Sequence, residues 1–218
     1  MAGRPANSGK NSGTSAGEGN HRARRPAQPR ENLLGAAMAT IAEHGLDRLT
    51  MAGLGRQVGM SSGHLLYYFK SKDELLLQTL QWSEEQLGGE RRSALARQVP
   101  VRERIDTLVD LYLPTGHRDP HWALWLEVWN RSQYADDEVR ARQLELELAW
   151  HRDLVALLVE GAAHGEFRPV DADRFSTRTR ALLDGLGTHL VVGLPGLDRT
   201  TALGHVRDHL DAALLPPE

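Results

Sequence analysis

The chain has 218 residues, of which 40% are hydrophobic, 25% are charged and none is cysteine. This composition favours a folded protein of one or two domains, and the lack of cysteine excludes disulfide bonds, zinc ribbons and thiol catalysis. No apolar run approaches the roughly 18 residues of a membrane helix, so no membrane partner is expected. The N-terminus lacks the apolar stretch of a signal peptide, which makes the cytoplasm the expected compartment.

The charges are divided unevenly along the chain. Residues 1–72 contain ten Lys and Arg against four Asp and Glu, whereas residues 73–218 contain sixteen against twenty-five. A basic front and an acidic rear are expected when one end of a protein meets a polyanion. A basic tail without a partner produces the same asymmetry, so charge alone leaves both interpretations open.

Residues 1–28 are predicted to be a disordered basic tail. Gly, Ser, Asn and Pro dominate this segment, and Met1 is its one aliphatic side chain larger than alanine. Such a composition cannot bury enough apolar surface to offset the entropy of ordering. Arg22, Arg24 and Arg25 lie just before the folded part. They either reach a DNA minor groove as a basic arm or belong to a solvated linker.

From Pro29 onward the pattern is helical, beginning with a first helix whose apolar residues recur at three- and four-residue spacing. Gly45 is expected to end this helix. Thr50 is a good N-cap for a second helix over 51–58. The apolar face of the first helix consists of Leu33, Leu34, Ala37, Met38, Ile41 and Ala42.

A tight turn at Gly59–Ser61 leads to a third helix over 62–69, which the last residue of the turn is expected to cap. Ser71 and the glutamate three residues on form a capping box. It opens a fourth helix that ends near Leu87 or, past two glycines, near Leu95. Strand signals are absent, so an all-α fold is predicted. Further helices are predicted near 101–113, 119–132, 136–163, 171–193 and 199–215.

Three short helices, the second and third joined by a turn that contains glycine, form a helix-turn-helix pattern. The run Gly59–Leu76, GMSSGHLLYYFKSKDELL, resembles the DNA-binding domain of TetR-family transcriptional regulators. The resemblance implies a three-helix DNA-binding domain over 29–75 and a larger helical ligand-binding and dimerisation domain over 76–218. The chain departs from the family pattern at Leu66, where tyrosine is common. Gly55 is expected to let the second helix pack closely on the third.

The resemblance and the helix geometry together assign base readout to the start of the third helix. Gly63 lets the backbone approach DNA closely, while Ser62 and His64 offer polar groups to base edges. A phosphate at the N-terminus of the fourth helix would explain a lysine at its first position. Half-buried tyrosines and solvated lysines are the alternative. The predicted DNA contacts are Thr50, Ser61, Ser62, Gly63, His64, Tyr67, Tyr68, Lys70 and Lys72. The side chains expected to face inward are Leu65, Leu66 and Phe69.

All five tryptophans lie behind the front domain, and Trp122, Trp125 and Trp129 form one stripe of a helix. Aromatic faces with carboxylates nearby in the chain suit a cationic amphiphile through cation–π contact. A core or dimer surface is the alternative for such a stripe. The nearby carboxylates are Glu127, Glu145 and Glu147.

Two segments of the rear domain, Leu158–Phe167 and Leu182–Leu186, resemble the BetI-like branch of the same family. That resemblance implies a response to a small organic cation such as choline. The predicted ligand contacts are Trp82, Tyr112, Trp122, Trp125, Trp129 and Trp150.

Two apolar stripes near the C-terminus are predicted to join two subunits in a four-helix bundle. Gly185 and Gly187 would let the helices approach closely, and packing within one chain is the alternative. A dimer presents two recognition helices to DNA, so the operator is expected to be an inverted repeat. The stripes consist of Phe175, Leu182, Leu183, Leu186 and Leu190, and of Leu203, Val206, Leu210 and Leu214.

The expected function is a repressor that binds double-stranded DNA as a homodimer and is released by a small-molecule effector. No catalytic residue, metal or cofactor is expected. One alternative is a DNA-binding helical dimer that ignores small molecules. The other is a metal-binding or catalytic protein, because His117/His121 and His205/His209 have the i, i+4 spacing of zinc ligands on one helix. No phosphate-binding loop, dinucleotide or Ser-His-Asp motif accompanies them.

Overall fold

The computed structural model describes residues 29–215, and within that range every regular element is a helix. The prediction of a disordered tail, with its arm of three arginines, lies outside the described residues. A 3₁₀ turn, Leu46–Arg48, follows the first helix. The α-helices are α1 Pro29–His44, α2 Met51–Val58, α3 Ser62–Phe69, α4 Lys72–Leu95, α5 Val101–Tyr112, α6 Pro120–Ser132, α7 Asp137–Ala163, α8 Ala172–Val192 and α9 Arg199–Leu214.

The predicted helix starts are confirmed by the cap geometry. The hydroxyls of Thr50, Ser61 and Ser71 each accept the backbone N–H three residues ahead, at 3.0, 3.2 and 3.0 Å. The reciprocal half of the predicted capping box does not form. The Glu74 carboxylate instead accepts from Arg142 on α7, at 2.7 and 3.2 Å. A guanidinium supplied by the tertiary structure replaces the local amide, because charge-assisted hydrogen bonds are the stronger ones.

Glycine is required where α2 turns into α3. A Cβ at Gly55 would lie 2.4 Å from the carbonyl oxygen of Met60, which is backbone and cannot rotate away. The Met60 amide also donates to the Gly55 carbonyl at 2.8 Å. Gly59, at the C-cap of α2, has a φ of 72°, which glycine adopts without strain. The close approach expected at Gly55 is therefore present, toward the turn itself.

The described residues bury two hydrophobic clusters, and α6 contributes to the boundary between them. The front core joins apolar side chains of α1 to α4 with Leu124, Trp125 and Val128 of α6. The rear core joins α5, α7, α8 and α9 around residues such as Ile105 and Leu158. Because α6 fills part of the front core, the helix-turn-helix unit packs directly on the rear domain.

No helix between residues 29 and 215 is long and apolar enough to cross a membrane.

Candidate functional site

The third helix presents a polar and aromatic face to solvent. Leu65 and Phe69 are buried at 0% and 3% exposure, and the burial of each contributes roughly 1.5–3 kcal/mol to holding the helix in place. Tyr67 is 82% exposed and Tyr68 is 58% exposed. Leu66 was expected to face inward but is 48% exposed. It follows the buried Leu65 by one residue, or about 100° of helix turn.

The remaining predicted DNA contacts surround this face. Ser61, Ser62, Gly63 and His64 are exposed at the start of α3, and Thr50 and Lys70 are exposed beside it. The His64 ring stacks on Tyr68 with centroids 5.1 Å apart. Lys72 is half-buried, and its Nζ donates to the Asp47 carbonyl at 3.3 Å. Eight of the nine predicted positions are thus exposed to solvent, and Lys72 is partly so.

Five aromatic side chains of the rear domain surround one small cavity. They are Tyr112 of α5, Trp122, Trp125 and Trp129 of α6, and Trp150 of α7. The cavity has a volume of about 20 Å³, which is room for about one water molecule. Three further residues complete its lining, namely His121, Glu147 and Arg180. We call this site the aromatic cavity.

Trp82, the sixth residue predicted for the ligand site, lies elsewhere. It packs with the front core, and a Cβ at Gly35 of α1 would lie 3.7 Å from its Cη2 atom. Its residue type and its place behind the front domain suggested the ligand site, but on α4 it faces α1. The structure therefore does not bring Trp82 to the aromatic cavity.

The rings of the cavity meet mostly edge to face. Tyr112 and Trp150 have centroids 4.9 Å apart at 77°, and Trp122 and Trp129 have centroids 5.9 Å apart at 81°. Trp122 reaches this position because α8 carries a glycine beneath it. A Cβ at Gly187 would lie 2.2 Å from the indole. Trp122 Nε1 donates to the Tyr112 carbonyl at 2.9 Å, and this hydrogen bond fixes the orientation of the indole ring.

A buried carboxylate that the sequence did not single out lies behind two of these rings. Glu84 on α4 accepts from Trp125 Nε1 at 2.9 Å and from Trp150 Nε1 at 3.1 Å. His121 Nε2 lies 3.1 Å and Arg91 Nη1 lies 3.6 Å from the same group. No local pattern on α4 marks this role, because all four partners come from other turns or other helices.

Burial and hydrogen bonding change the pKa of two acidic side chains near the cavity in opposite directions. Burial raises the pKa of Glu84, but His121, Trp125 and Arg91 outweigh this, so the net pKa is lowered. Burial raises the pKa of Asp184 on α8 above its ordinary value, although Tyr112 and Arg180 oppose the rise. The Tyr112 hydroxyl donates to this carboxylate at 2.5 Å.

Of the three carboxylates predicted near the tryptophans, one reaches the cavity. Glu147 accepts from Trp129 Nε1 at 3.2 Å. Glu145 is exposed and pairs with Arg152 at 3.0 Å. Glu127 points the other way along α6, toward the front domain. Glu127 lies on α6, and Glu145 and Glu147 lie about 200° apart around α7, so sequence proximity alone did not place the three together.

The C-terminal end of α6 is tied to the helix-turn-helix unit by polar contacts. Glu127 accepts from the Leu46 amide at 3.0 Å. Arg131 lies 3.4 Å from Asp47, 3.1 Å from Asp73 and 3.3 Å from Glu127. The helix that supplies three tryptophans to the cavity therefore also contacts the 3₁₀ turn and the start of α4.

The predicted dimer stripes lie mostly inside the single chain. Five of their residues are buried against the rear core and are not free to meet a partner: Phe175, Leu183, Leu190, Val206 and Leu210. Leu214 is also fully buried there. The other three, Leu182, Leu186 and Leu203, are half-buried at the margin of that core. A periodic stripe identifies the apolar face of a helix, but not whether that face packs within one chain.

The histidine pairs do not form metal sites. His117 Nδ1 lies 2.7 Å from the Val191 carbonyl, whereas His121 contacts Glu84. His209 stacks on Phe175 with centroids 5.1 Å apart. Among residues 29–215, no three side chains from His, Asp and Glu gather closely enough to hold a metal ion.

Comparison with known families and relatives points to one class of protein. Residues 33–79 match the tetR family of bacterial regulatory proteins, and residues 100–215 match the C-terminal domain of BetI-type transcriptional repressors. The HTH-type transcriptional regulator BetI of Agrobacterium fabrum is 28% identical over 186 residues, which cover 85% of this chain and 87% of that protein. These relatives confirm the prediction of a regulator rather than an enzyme.

Solved structures with the same fold include one with a ligand. A transcriptional regulator from Saccharomonospora viridis, in complex with choline, matches with a TM-score of 0.79 at 28% identity, covering 86% of this chain and 98% of that chain. A TetR transcription regulator from Haloarcula marismortui matches with a TM-score of 0.75 at 24% identity, covering 85% and 98%. The second likeness shows the fold alone.

Proposed function

This chain belongs to the TetR family of bacterial transcriptional regulators, with a C-terminal domain of the BetI type, and from that premise we propose how it works. A homodimer binds an inverted-repeat operator and represses transcription. An organic cation enters the aromatic cavity and releases the DNA. Residues 29–75 serve as the DNA-binding domain and 76–218 as the ligand-binding and dimerisation domain. DNA as the target makes the cytoplasm the proposed compartment.

The exposed face of α3 is the proposed reading surface. Ser62, Gly63 and His64 meet base edges in the major groove, where polar side chains at the start of a recognition helix specify sequence. The other predicted contacts hold phosphates and set the register. Those phosphate contacts are Thr50, Ser61, Tyr67, Tyr68, Lys70 and Lys72. Lysine contacts of this kind make the affinity strongly salt-dependent.

The observation that carries the ligand step is the aromatic cavity. Five aromatic side chains line it, and Glu84 lies buried behind Trp125 and Trp150. Aromatic faces attract a quaternary ammonium through their negative quadrupoles, most strongly where water is excluded. The relative from Saccharomonospora viridis was crystallised in complex with choline. We therefore propose a trimethylammonium compound as the ligand class.

Ligand entry must enlarge the cavity, because about 20 Å³ holds one water and not a trimethylammonium group. Enlargement separates α6 from α5, α7 or α8. Because Glu127 and Arg131 tie the far end of α6 to the front domain, this movement reorients the recognition helix. The ligand then shifts a pre-existing equilibrium by binding the separated state more tightly than the DNA-bound one.

The proposed dimer forms through the outer faces of α8 and α9. Gly185 and Gly204 would have nothing within 4 Å of an added Cβ, so a partner helix could approach closely. Val192 is 52% exposed and continues this face. The half-buried Leu182, Leu186 and Leu203 border it. The buried members of the predicted stripes support these helices from behind.

Operator binding tests the proposal directly. Fluorescence anisotropy with the DNA flanking the protein's own gene, at several salt concentrations, is expected to show tight, salt-sensitive binding to one inverted repeat. Choline is expected to weaken that binding. Trp129→Leu should reduce the choline effect, whereas Trp82→Leu, a half-buried tryptophan outside the cavity, should preserve it.

Three results would contradict the proposal. Equal binding to all DNA sequences would exclude a specific operator. A monomer in sedimentation analysis would exclude the dimer. Specific DNA binding that trimethylammonium compounds neither weaken nor strengthen would identify a DNA-binding dimer without a cationic ligand.

A further inference from the structure

One charged side chain that lines the aromatic cavity has a buried donor without a hydrogen-bond partner. Arg180 of α8 borders the cavity beside the aromatic rings. Its Nε is buried and has no hydrogen-bond partner among residues 29–215. Glu147, the carboxylate in the same lining, accepts from Trp129 at 3.2 Å and from Gln143 at 2.9 Å. The acid is satisfied within the fold, whereas the guanidinium keeps an unused donor.

A second arginine near the cavity, Arg91, has two acidic neighbours, although its own Nη1 is also without a hydrogen-bond partner. Arg91 lies over the Trp150 ring, 4.1 Å from its centroid. It pairs with Asp153 at 2.6 Å and lies 3.6 Å from Glu84. A buried donor without an acceptor costs the folded protein free energy, and more so when the group is charged. Arg180 bears such a cost unless another molecule supplies an acceptor.

The acidic side chain nearest to Arg180 along α8 already accepts a hydrogen bond. Asp184, one turn along α8, accepts the Tyr112 hydroxyl at 2.5 Å. Arg180 acts on both groups, since it opposes the rise in the pKa of Tyr112 and of Asp184. The guanidinium is therefore held at the wall beside Tyr112, with a buried Nε that has no acceptor.

We propose that Arg180 binds a carboxylate of the ligand, so that the cavity selects a zwitterion over a simple cation. The aromatic rings take the quaternary ammonium group, and Arg180 takes a carboxylate a few bonds away. Choline offers only a hydroxyl to the guanidinium, whereas trimethylglycine offers the anion that a guanidinium binds best. This inference rests on the proposed function, and it names the chemical class of the effector.

An alternative role for Arg180, as a stand-in for the ligand's cation, predicts the opposite effect on ligand binding. If its guanidinium stood in for the ligand's cation in the empty cavity, a ligand would have to displace it. Removing the guanidinium would then tighten the binding of every trimethylammonium compound. If Arg180 anchors a carboxylate, removing it weakens the binding of trimethylglycine in particular.

Titration calorimetry of the full-length protein with tetramethylammonium, choline and trimethylglycine separates these roles. Trimethylglycine is expected to bind about 10- to 100-fold more tightly than choline, the factor that one hydrogen bond to a charged group contributes. Arg180→Gln should abolish this preference. Arg180→Lys should retain part of it, since lysine keeps the charge but lacks the planar fork. Arg178→Gln, at an exposed arginine of the same helix, is the matched control and should retain the full preference.

Thermal unfolding provides a second readout, and it does not require the variant to bind a ligand. Trimethylglycine should raise the melting temperature of the wild type more than choline at equal concentration. Without ligand, Arg180→Gln should change stability little, because it removes the attraction to Asp184 but also a buried donor that has no partner. A clear loss of stability in this variant would show that the guanidinium is already satisfied within the fold, and would overturn the inference.

The outcomes also separate this inference from the proposed function. If tetramethylammonium and choline bind but trimethylglycine is no tighter than choline, the role of Arg180 is refuted and the cationic ligand stands. If Arg180→Gln tightens all three compounds, the guanidinium is a stand-in cation and not an anchor. If none of the three binds the wild-type protein, both proposals fail.

Discussion

Replacing the Glu84 carboxylate with an amide should weaken the hydrogen bonds that hold the tryptophans of the aromatic cavity. Its two oxygens receive Trp125 Nε1 at 2.9 Å, Trp150 Nε1 at 3.1 Å and His121 Nε2 at 3.1 Å, with Arg91 at 3.6 Å. The amide of Glu84→Gln has one acceptor oxygen, and its NH₂ group would face donors. We therefore expect at least one indole N–H to lose its partner and Arg91 to lose one of its two acidic neighbours.

The expected loss of stability follows from these contacts. A hydrogen bond to a charged group contributes about 1.5–3 kcal/mol, and breaking a buried ion pair costs about 3–5 kcal/mol. Because Arg91 keeps Asp153 at 2.6 Å, only part of the second cost applies. Glu84→Gln should therefore lower the free energy of unfolding by roughly 2–4 kcal/mol.

Urea unfolding followed by far-UV circular dichroism measures this loss, with all variants at one protein concentration because dimerisation shifts apparent stability. Glu85→Gln is the matched control, since Glu85 is the next residue of α4 and is exposed. It should change stability by less than about 0.5 kcal/mol. Equal stability of the two variants would refute the view that Glu84 anchors the tryptophans.

The pH dependence of the same pair tests the ionised state of Glu84. The pKa of Glu84 is lowered in the folded protein from its ordinary value of 4.5. A depressed pKa contributes stability that is complete above the ordinary value and is lost as the pH falls through the folded value. The difference between wild type and Glu84→Gln should thus shrink in acid. A difference that stays constant would mean that the carboxylate is not the stabilising species.

Two glycine substitutions test the close contacts that shape the cavity and the turn. Gly187→Ala would place a Cβ 2.2 Å from Trp122, so it should cost about 1–3 kcal/mol and weaken trimethylammonium binding. Gly89→Ala, where an added Cβ meets open space on α4, should do neither. Gly55→Ala would meet the Met60 carbonyl at 2.4 Å. It should lower the melting temperature and abolish operator binding, and wild-type behaviour of this variant in both assays would contradict the close contact in the turn.

The local elements of this chain could be predicted from its sequence because their signals act over three or four residues. The hydroxyl caps at Thr50, Ser61 and Ser71 work through the nearest free amides, so spacing alone locates them. Apolar periodicity located each helix for the same reason. The motif from the turn to α4 was long enough to indicate the family, and the comparisons confirm that prediction.

Long-range contacts set the limits of that analysis. Glu84 of α4 lies behind the cavity tryptophans and Arg180 of α8 lines the cavity, and neither had a local pattern that distinguished it from a solvated residue. Trp82 shared its residue type with the cavity tryptophans but faces α1. The pairing of Glu74 with Arg142 likewise depended on a helix that lies 68 residues away in the chain.

The sequence by itself determined the helices, their caps and the family, since these depend on neighbouring residues and on a contiguous motif. Only the tertiary structure decided which apolar faces meet. The stripes of α8 and α9 turned inward, with Val206 and Leu210 buried in the rear core, and α6 came to contact both the cavity and the front domain. The physical reason is that amphipathic periodicity specifies which side of a helix avoids water, whereas the partner that covers that side is chosen by packing among all the helices at once.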